Sequence, residues 1–144
     1  MSTVRLAAGM ATRTPTRPTS TGERTESFDG IGCLDERMRA QAMPARKAQV
    51  GPYIEVQGPG EELLIPLASG VTHIGRGLAA DLHLDEASVS RRHAILVHSR
   101  SGSRILDDRS SNGTFVNGHR VRQANLHNGD VFVLGRVALR YLEL

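Results

Sequence analysis

The fold of this chain is decided by residues 114–121, which read Thr114-Phe115-Val116-Asn117-Gly118-His119-Arg120-Val121. Asn117 and Gly118 stand between two short runs of strand-forming residues. Both central positions of a type I′ turn need a positive φ angle, which Asn and Gly tolerate best. The stretch therefore predicts a β-hairpin with a two-residue turn. Residues 101–102 and 127–130 carry weaker turn signals of the same kind.

Short apolar runs separated by Gly, Asn, Asp and Ser extend outward from this hairpin, from Pro52 to the end of the chain. This texture is typical of an antiparallel all-β domain, and many short strands favour a sandwich of two sheets. We expect the last strand to pair with the strand near Tyr53 and bring the two ends of the domain together. Ten strands are predicted, near residues 53–57, 62–67, 71–74, 82–84, 93–98, 103–107, 114–116, 120–121, 130–134 and 137–142.

The first fifty residues differ in composition from the rest. Seven Thr fall within the first twenty-five positions, and no apolar periodicity is sustained. We therefore predict a disordered tail at residues 1–50 and a single domain at residues 51–144. Leu34, Met38 and Ala42 recur every four residues, which is compatible with a short helix that Pro44 would end.

Charge and composition exclude several classes of protein. Residues 1–50 hold eight Lys and Arg against five Asp and Glu, whereas residues 51–144 hold ten against ten. A domain of balanced charge lacks the positive face that duplex DNA requires. Two Tyr, three Phe and no Trp leave little for stacking on single-stranded nucleic acid. We expect no nucleic-acid partner.

Localisation follows from the apolar runs and the cysteine count. No run is long enough for a membrane span or a secretory signal. Cys33 is the only cysteine, so an intrachain disulfide is impossible and a reducing compartment fits. We expect a cytoplasmic monomer without a membrane partner. The Arg-rich and Thr-rich start leaves an organelle transit peptide as an alternative.

Four polar signatures lie in order at the ends of predicted strands. Such positions are typical of binding sites built from loops. A guanidinium offers fixed parallel donors, a hydroxyl adds another, and an amide side chain can pair with a peptide backbone. These types together suit a phosphate group, although each signature taken singly also fits an ordinary turn or surface arginine. The signatures are Gly75-Arg76, Ser90-Arg91-Arg92-His93, Ser111-Asn112-Gly113-Thr114 and Asn117-Gly118.

The residues give no support to an enzyme. The six histidines include no pair at the three- or four-residue spacing of metal ligands, so we expect no metal site. Ser90, His93 and Asp107 could be imagined as a hydrolytic triad, but no nucleophile elbow is present, and Ser90 and His93 lie only three residues apart on an extended segment. We expect neither catalytic residues nor a cofactor.

Taken together and in this order, the signatures resemble the forkhead-associated (FHA) domain, a family that binds phosphothreonine peptides. The resemblance covers about residues 52–144. It implies a β-sandwich of about eleven strands, preceded here by the tail, with the peptide held by loops at one end. The matching stretches are Ile74-Gly75-Arg76, Asp81-Leu82-His83-Leu84, Val89-Ser90-Arg91-Arg92-His93-Ala94, Asp107, the run from Ser111 to Gly118, Leu126-His127-Asn128-Gly129-Asp130 and Leu134-Gly135.

The resemblance also implies roles for five peptide-binding residues. Arg76 is expected to pair with the phosphate, Ser90 to donate a hydroxyl hydrogen bond to it, and Arg91 to supply a second charged contact. Ser111 is expected to face the phosphothreonine, and Asn112 the peptide backbone beside it. Many family members have Thr at the position of Ser111.

Further residues are expected to support the site or to extend it. Gly75 and Gly113 are implied as backbone requirements, and His93 as a brace for the loop that bears Ser90. Ser88, Arg109 and Ser110 are placed to contact residues that follow the phosphothreonine.

The implied function is phosphothreonine-dependent peptide binding in Ser/Thr kinase signalling, with phosphorylated proteins, either kinases or their substrates, as partners. An alternative comes from small bacterial regulators of the family, in which a phosphorylated N-terminal threonine folds back onto the domain. Here Thr14, Thr19 and Thr25 are the possible acceptors. The protein would then be an autoinhibited regulator whose own tail occupies the site and controls binding to a target enzyme. The doubled-threonine acidic motif of those regulators is missing.

Overall fold

A computed structural model describes residues 29–144 of the chain. Eleven strands form two stacked sheets, so the predicted all-β sandwich is confirmed. One short α-helix, α1 (Glu36–Gln41), and two 3₁₀ turns, Ile31–Cys33 and Ala45–Lys47, precede the sheets. The strands are β1 (Pro52–Gly58), β2 (Glu61–Pro66), β3 (Gly70–Gly75), β4 (Leu82–His83), β5 (Ala94–Ser99), β6 (Gly102–Asp107), β7 (Thr114–Val116), β8 (His119–Val121), β9 (Gln123–Leu126), β10 (Val131–Leu134) and β11 (Val137–Glu143).

The two sheets have six and five strands. The order is β8-β7-β10-β11-β1-β2 in the larger sheet and β9-β6-β5-β3-β4 in the smaller one. All neighbours are antiparallel except β3 and β4, which are parallel and align Gly75 with His83. Because this pair is parallel, β3 and β4 both finish at the same end of the sandwich. Three of the polar signatures lie at that end.

The predicted closure of the domain by its last strand is confirmed. Strand β11 pairs antiparallel with β1, with Tyr141 opposite Ile54 and Leu139 opposite Val56. Residues on alternate positions of β11 are buried, as expected for a strand with one face on the core. Val137, Leu139 and Tyr141 supply that face.

Local turn chemistry explains the hairpin of residues 114–121. Asn117 and Gly118 have φ angles of 49° and 86°, and the flanking residues Val116 and His119 are partners, as predicted.

The turn at residues 127–130 is different, because β9 and β10 belong to different sheets. It carries the chain across the sandwich, so the prediction of a second hairpin there is wrong.

The N-terminal boundary of the domain also differs from the prediction of a tail that extends to residue 50. Ile31, Cys33, Leu34 and Met38 are buried in the main hydrophobic core, and Met43 forms a backbone bridge to Leu64 of β2. The apolar residues of α1 are too few to predict this burial from the sequence, because they pack against sheet residues that are distant in the chain. Residues 29–50 therefore belong to the folded unit, and the boundary at residue 51 is wrong.

Two further observations concern membrane-spanning helices and metal ligands in residues 29–144. No helix in this range is both long and apolar enough to cross a membrane. The same range contains no group of three His, Cys, Asp or Glu side chains arranged to hold a metal ion.

Candidate phosphopeptide site

Three loops meet at one end of the sandwich and carry all five predicted peptide-binding residues. Loop 1 (residues 76–81) joins β3 to β4, loop 2 (residues 84–93) joins β4 to β5, and loop 3 (residues 108–113) joins β6 to β7. Loop 2 is bonded to both of the others. The Arg76 amide donates to the Ser90 carbonyl at 3.0 Å, and the Ser111 amide donates to Ser90 Oγ at 2.9 Å.

Arg76 in loop 1 is exposed but held in place. Its Nε donates to the Val89 carbonyl of loop 2 at 3.0 Å. No other hydrogen bond or ion pair of this side chain occurs within residues 29–144, so the terminal NH₂ groups keep their donors for a ligand. Such a guanidinium, fixed at Nε and open at its fork, suits a phosphate.

Gly75 immediately before Arg76 is required by the close approach of loop 2. A Cβ at this position would lie 2.1 Å from the Arg91 carbonyl oxygen and 3.0 Å from the Ser90 carbonyl oxygen. Backbone atoms cannot yield as a flexible side chain would. Any side chain at residue 75 would separate loops 1 and 2.

Ser90 is half-buried, with its hydroxyl facing loop 3. Because Oγ accepts the Ser111 amide hydrogen, the hydroxyl still has its own proton to donate. That proton is available to an oxygen of a ligand placed between Arg76 and Ser111.

His93 joins loops 2 and 3 from beneath the site. It is fully buried. Its Nδ1 accepts the Ser90 amide hydrogen at 3.0 Å, so the remaining proton is on Nε2, which donates to the Gly113 carbonyl at 2.9 Å. Both ring nitrogens are therefore used in holding the two loops together.

Asp107, at the end of β6, organises loop 3. Its carboxylate accepts the Ser110 hydroxyl, the Ser110 amide at 3.2 Å and the Thr114 hydroxyl at 2.7 Å. Burial raises the pKa of Asp107, but the hydrogen bonds from Ser110 and Thr114 outweigh it and leave the pKa below its ordinary value. Sequence reasoning missed this role of Asp107.

Asn112 and Ser88 connect loop 3 to loop 2 at the rim. Asn112 Nδ2 donates to the Ser88 carbonyl at 2.8 Å. This bond orients the exposed amide and leaves Asn112 Oδ1 as an acceptor for the N–H of a peptide backbone. Ser111, beside it, is also exposed.

The neighbouring arginines Arg91 and Arg92 have different surroundings. Arg92 forms a two-point ion pair with Asp108, with distances of 3.0 and 3.2 Å. Arg91 is exposed, and its side chain has no ion pair within residues 29–144. Arg91 is therefore the residue of this pair with charge available to a ligand.

The three residues expected to contact positions after the phosphothreonine also differ in whether their side chains are bonded within the loops or open to a ligand. The Ser88 hydroxyl donates to Glu86 Oε2 at 2.6 Å and accepts the Arg136 amide at 2.9 Å. The Ser110 hydroxyl bonds Asp107 and accepts the Gly113 amide. Both hydroxyls are thus used within the loops, whereas Arg109 is exposed, with a φ angle of 63°.

Arg120 on β8 adds a cation that sequence reasoning missed. Its Nε lies 2.7 Å from the place that a Cβ on Gly113 would occupy, and Gly113 has a φ angle of 90°. The arginine thus lies across the residue after Asn112, where the positive φ angle is what requires glycine. The signal was absent from the sequence because Arg120 is on the outer strand of the following hairpin.

The exposed surface between loops 1, 2 and 3 is called the notch. A separate concave region of about 680 Å³ is lined by Ser99, Arg104 and Asn128, among others. It lies at the opposite end of the sandwich, beside the β5–β6 turn, and includes none of the predicted site residues.

Comparisons with known proteins identify the family of this chain. Residues 72–135 match the model of the FHA domain family. The glycogen accumulation regulator GarA of Mycobacterium tuberculosis is 36% identical over 86 residues, which are 60% of this chain and 53% of GarA. Across the curated relatives compared, the chain spans between 9% and 54% of the relative's own length.

Solved structures of FHA domains match this chain over nearly their whole length. The FhaA FHA domain, complexed with the intracellular domain of Rv3910, is 30% identical with a TM-score of 0.59, covering 63% of this chain and 99% of that one. A structure from work on phosphothreonine-dependent FHA domain interactions is 29% identical with a TM-score of 0.60, covering 65% and 96%. Given this similarity, the sandwich and the ordered loop motifs, the chain belongs to the forkhead-associated domain family.

Proposed function

We propose that this protein is a phosphothreonine-dependent peptide-binding module of Ser/Thr kinase signalling that acts in the cytoplasm and has no catalytic activity. The observation that carries the proposal is that the Arg76 guanidinium is bonded to the carbonyl of Val89, the neighbour of Ser90, whose hydroxyl accepts the amide of Ser111. The solved relatives add support, since one is an FHA domain in complex with the intracellular domain of another protein.

Phosphate recognition in this proposal rests on a few charged hydrogen bonds. A phosphothreonine carries roughly −1.5 to −2 charges at neutral pH and three acceptor oxygens. The terminal NH₂ groups of Arg76 and the hydroxyl of Ser90 donate to these oxygens, and Arg91 adds positive charge. Each hydrogen bond to a charged group contributes about 1.5–3 kcal/mol, so the unphosphorylated threonine lacks most of the binding energy.

Peptide recognition depends on loop 3. Asn112 Oδ1 accepts a backbone N–H next to the phosphothreonine, and Ser111 faces the phosphorylated residue. The bond from Asn112 Nδ2 to Ser88 fixes the amide before the peptide arrives, which lowers the entropic cost of binding.

The test is a titration of phosphothreonine peptides, taken from a degenerate library by their binding to the wild-type protein. Arg76→Ala should weaken binding about 100-fold or more, as expected when charged hydrogen bonds to the phosphate are lost. Arg100→Ala, an exposed arginine at the other end of the sandwich, is the matched control and should change affinity less than twofold, since surface charge contributes little there.

Fluorescence anisotropy with labelled peptides gives both affinities, and the unphosphorylated form of each peptide is measured in parallel. Equal affinity for the two forms of the peptide would contradict the proposal. So would equal losses in Arg76→Ala and Arg100→Ala.

We propose the autoinhibited regulator as a second candidate because of the position of Gly30. Gly30 donates its amide hydrogen to the Gln57 carbonyl near the end of β1. The pairing of Val56 with Leu139 sets this end of β1 beside the β10–β11 turn, where Arg136 bonds Ser88 of loop 2. Residue 29 is therefore at the same end of the sandwich as the notch.

The possible acceptors Thr14, Thr19 and Thr25 lie outside the described residues, four to fifteen positions before Asp29. A linker of this length gives effective concentrations in roughly the millimolar range. Phosphorylation of the tail by a Ser/Thr kinase should therefore lower the affinity for an added phosphothreonine peptide, and replacement of all three threonines by alanine should abolish the effect. Unchanged affinity after tail phosphorylation would remove autoinhibition and leave peptide binding untouched.

A further inference from the structure

The segment before the sandwich contacts loop 1 directly. The match to the family model begins only at residue 72, so the N-terminal partner of each of these contacts lies outside the matched range. Two of them come from α1 and from the residue that caps it, and both reach the immediate surroundings of Arg76.

Arg37 on α1 makes the first contact. Its terminal NH₂ donates to the Ala80 carbonyl of loop 1 at 3.0 Å, over 43 residues of sequence separation. Ala80 is itself bonded back to Gly77, since its amide donates to the Gly77 carbonyl at 3.1 Å. The arginine thus holds the turn that follows Arg76 from outside.

Asp35 and His83 make the second contact. Asp35 caps α1 by accepting the Met38 amide at 2.9 Å. Its other oxygen lies 3.2 Å from His83 Nδ1, an approach that is an ion pair only when the ring is protonated and that makes no hydrogen bond within the described residues. His83 is buried, and its Nε2 donates to the Arg76 carbonyl at 3.0 Å. The Met38 amide lowers the pKa of Asp35, and the proximity of His83 and Arg37 adds to that shift.

Within the proposed function, we infer that Arg37 and His83 are positioning residues that set the backbone of loop 1 and, through it, the direction of the Arg76 guanidinium. Arg76 is fixed on one side by Val89 and Ser90 of loop 2. The α1 contacts fix the other side, so that the terminal NH₂ groups point to the phosphate without a search among rotamers. The residues before the sandwich are then a working part of the binding site.

The chain offers a matched pair of substitutions for the test. Arg39, on the same helix, donates to the Leu34 and Ile31 carbonyls at 3.1 Å each, which lie within its own segment. Arg37→Ala removes the contact with loop 1, whereas Arg39→Ala removes two carbonyl contacts of α1 without touching loop 1. Arg37→Lys retains one donor and serves as the conservative variant.

Each variant is made in the full chain and titrated with the phosphothreonine peptide that binds wild type most tightly. We expect Arg37→Ala to weaken binding about fivefold, the effect of one lost hydrogen bond, with Arg37→Lys recovering part of the loss and Arg39→Ala within twofold of wild type. In ¹H–¹⁵N spectra without peptide, Arg37→Ala should shift the amide signals of Arg76, Gly77 and Ala80 and leave those of β10 in place.

The inference would be overturned if Arg37→Ala and Arg39→Ala lost the same affinity. It would also be overturned if Arg37→Ala kept wild-type affinity and unshifted loop 1 signals. In both cases, peptide binding by the wild-type protein would still support the proposed function. Absence of phosphopeptide binding by wild type would instead refute the proposed function, and the inference with it.

Discussion

At the scale of single residues, His93 shows how one side chain makes a site from separate loops. It is placed by its backbone, which donates to the Ile74 carbonyl at the end of β3 and accepts from the Asp108 amide of loop 3. Its ring then spans loops 2 and 3. A neutral imidazole carries one donor and one acceptor at fixed positions, so this single ring satisfies both partners.

Glu55 is a second buried polar residue, and it has no evident function. Its Oε1 atom is buried without a hydrogen bond in the described part of the chain, and Arg140 Nε lies 3.7 Å away. Burial raises the pKa of Glu55, the nearby Glu62 raises it further, and Arg140 offsets part of the increase. The folded protein therefore binds this proton more tightly than the unfolded chain does.

Glu55→Gln should stabilise the protein at neutral pH for this reason. A carboxyl group with a raised folded-state pKa stabilises fully below the unfolded pKa and loses that contribution as pH rises through the folded pKa. We expect a gain of roughly 0.5–1 kcal/mol at pH 7, within the range of stabilising substitutions, and no gain near pH 4, where Glu55 is protonated. Urea unfolding at both pH values measures it. Glu61→Gln, exposed on β2, is the control, and a pH-independent effect of Glu55→Gln would contradict this account.

At the scale of elements, local chemistry made most strands predictable and left one out. The hairpin of β7 and β8 follows from Asn117 and Gly118 because positive φ is a property of two residues. Strand β9 was missed because its four residues, Gln123 to Leu126, include only two apolar side chains. It is a strand because β6, from Ser103 to Leu106, offers it a partner.

For the loops, too, some features could be predicted from the sequence and others could not. That loops 1, 2 and 3 carry the polar signatures was visible from their positions at strand ends. That Ser88 and Ser110 use their hydroxyls within the loops was not visible, because the partners Glu86, Asp107, Arg136 and Gly113 are selected by the folded backbone. An exposed turn serine and an internally bonded one have the same sequence signature.

At the scale of the whole molecule, the segment of residues 29–50 completes the hydrophobic core. Met38 is 1% exposed and belongs to the same cluster as Phe132 and Tyr141. The Cys33 carbonyl accepts the Asp85 amide of loop 2 at 2.8 Å. The cooperative folding unit is therefore larger than the sandwich of strands alone.

Met38→Ala tests this extent of the fold. Truncation of a fully buried Met removes apolar contacts and leaves a cavity, so we expect a loss of about 2–4 kcal/mol. Gln41→Ala, exposed on the same helix, should change stability by less than about 0.5 kcal/mol. Chemical denaturation followed by circular dichroism measures both. If Met38→Ala unfolds at the wild-type denaturant concentration, the segment is not part of the cooperative unit.

The sequence by itself determined most of the strands, the hairpin and the order of the binding motifs, since these depend on alternation and turn chemistry within a few residues. Only the tertiary structure decided that residues 29–50 fold with the domain, that Arg120 lies across Gly113, and that Arg37 contacts loop 1. The first and third of these are contacts between residues distant in the chain, and the second brings an arginine from the outer strand of the hairpin back over the loop before it. The free energy of such a contact depends on the geometry of the packed core, which no local pattern of residues specifies.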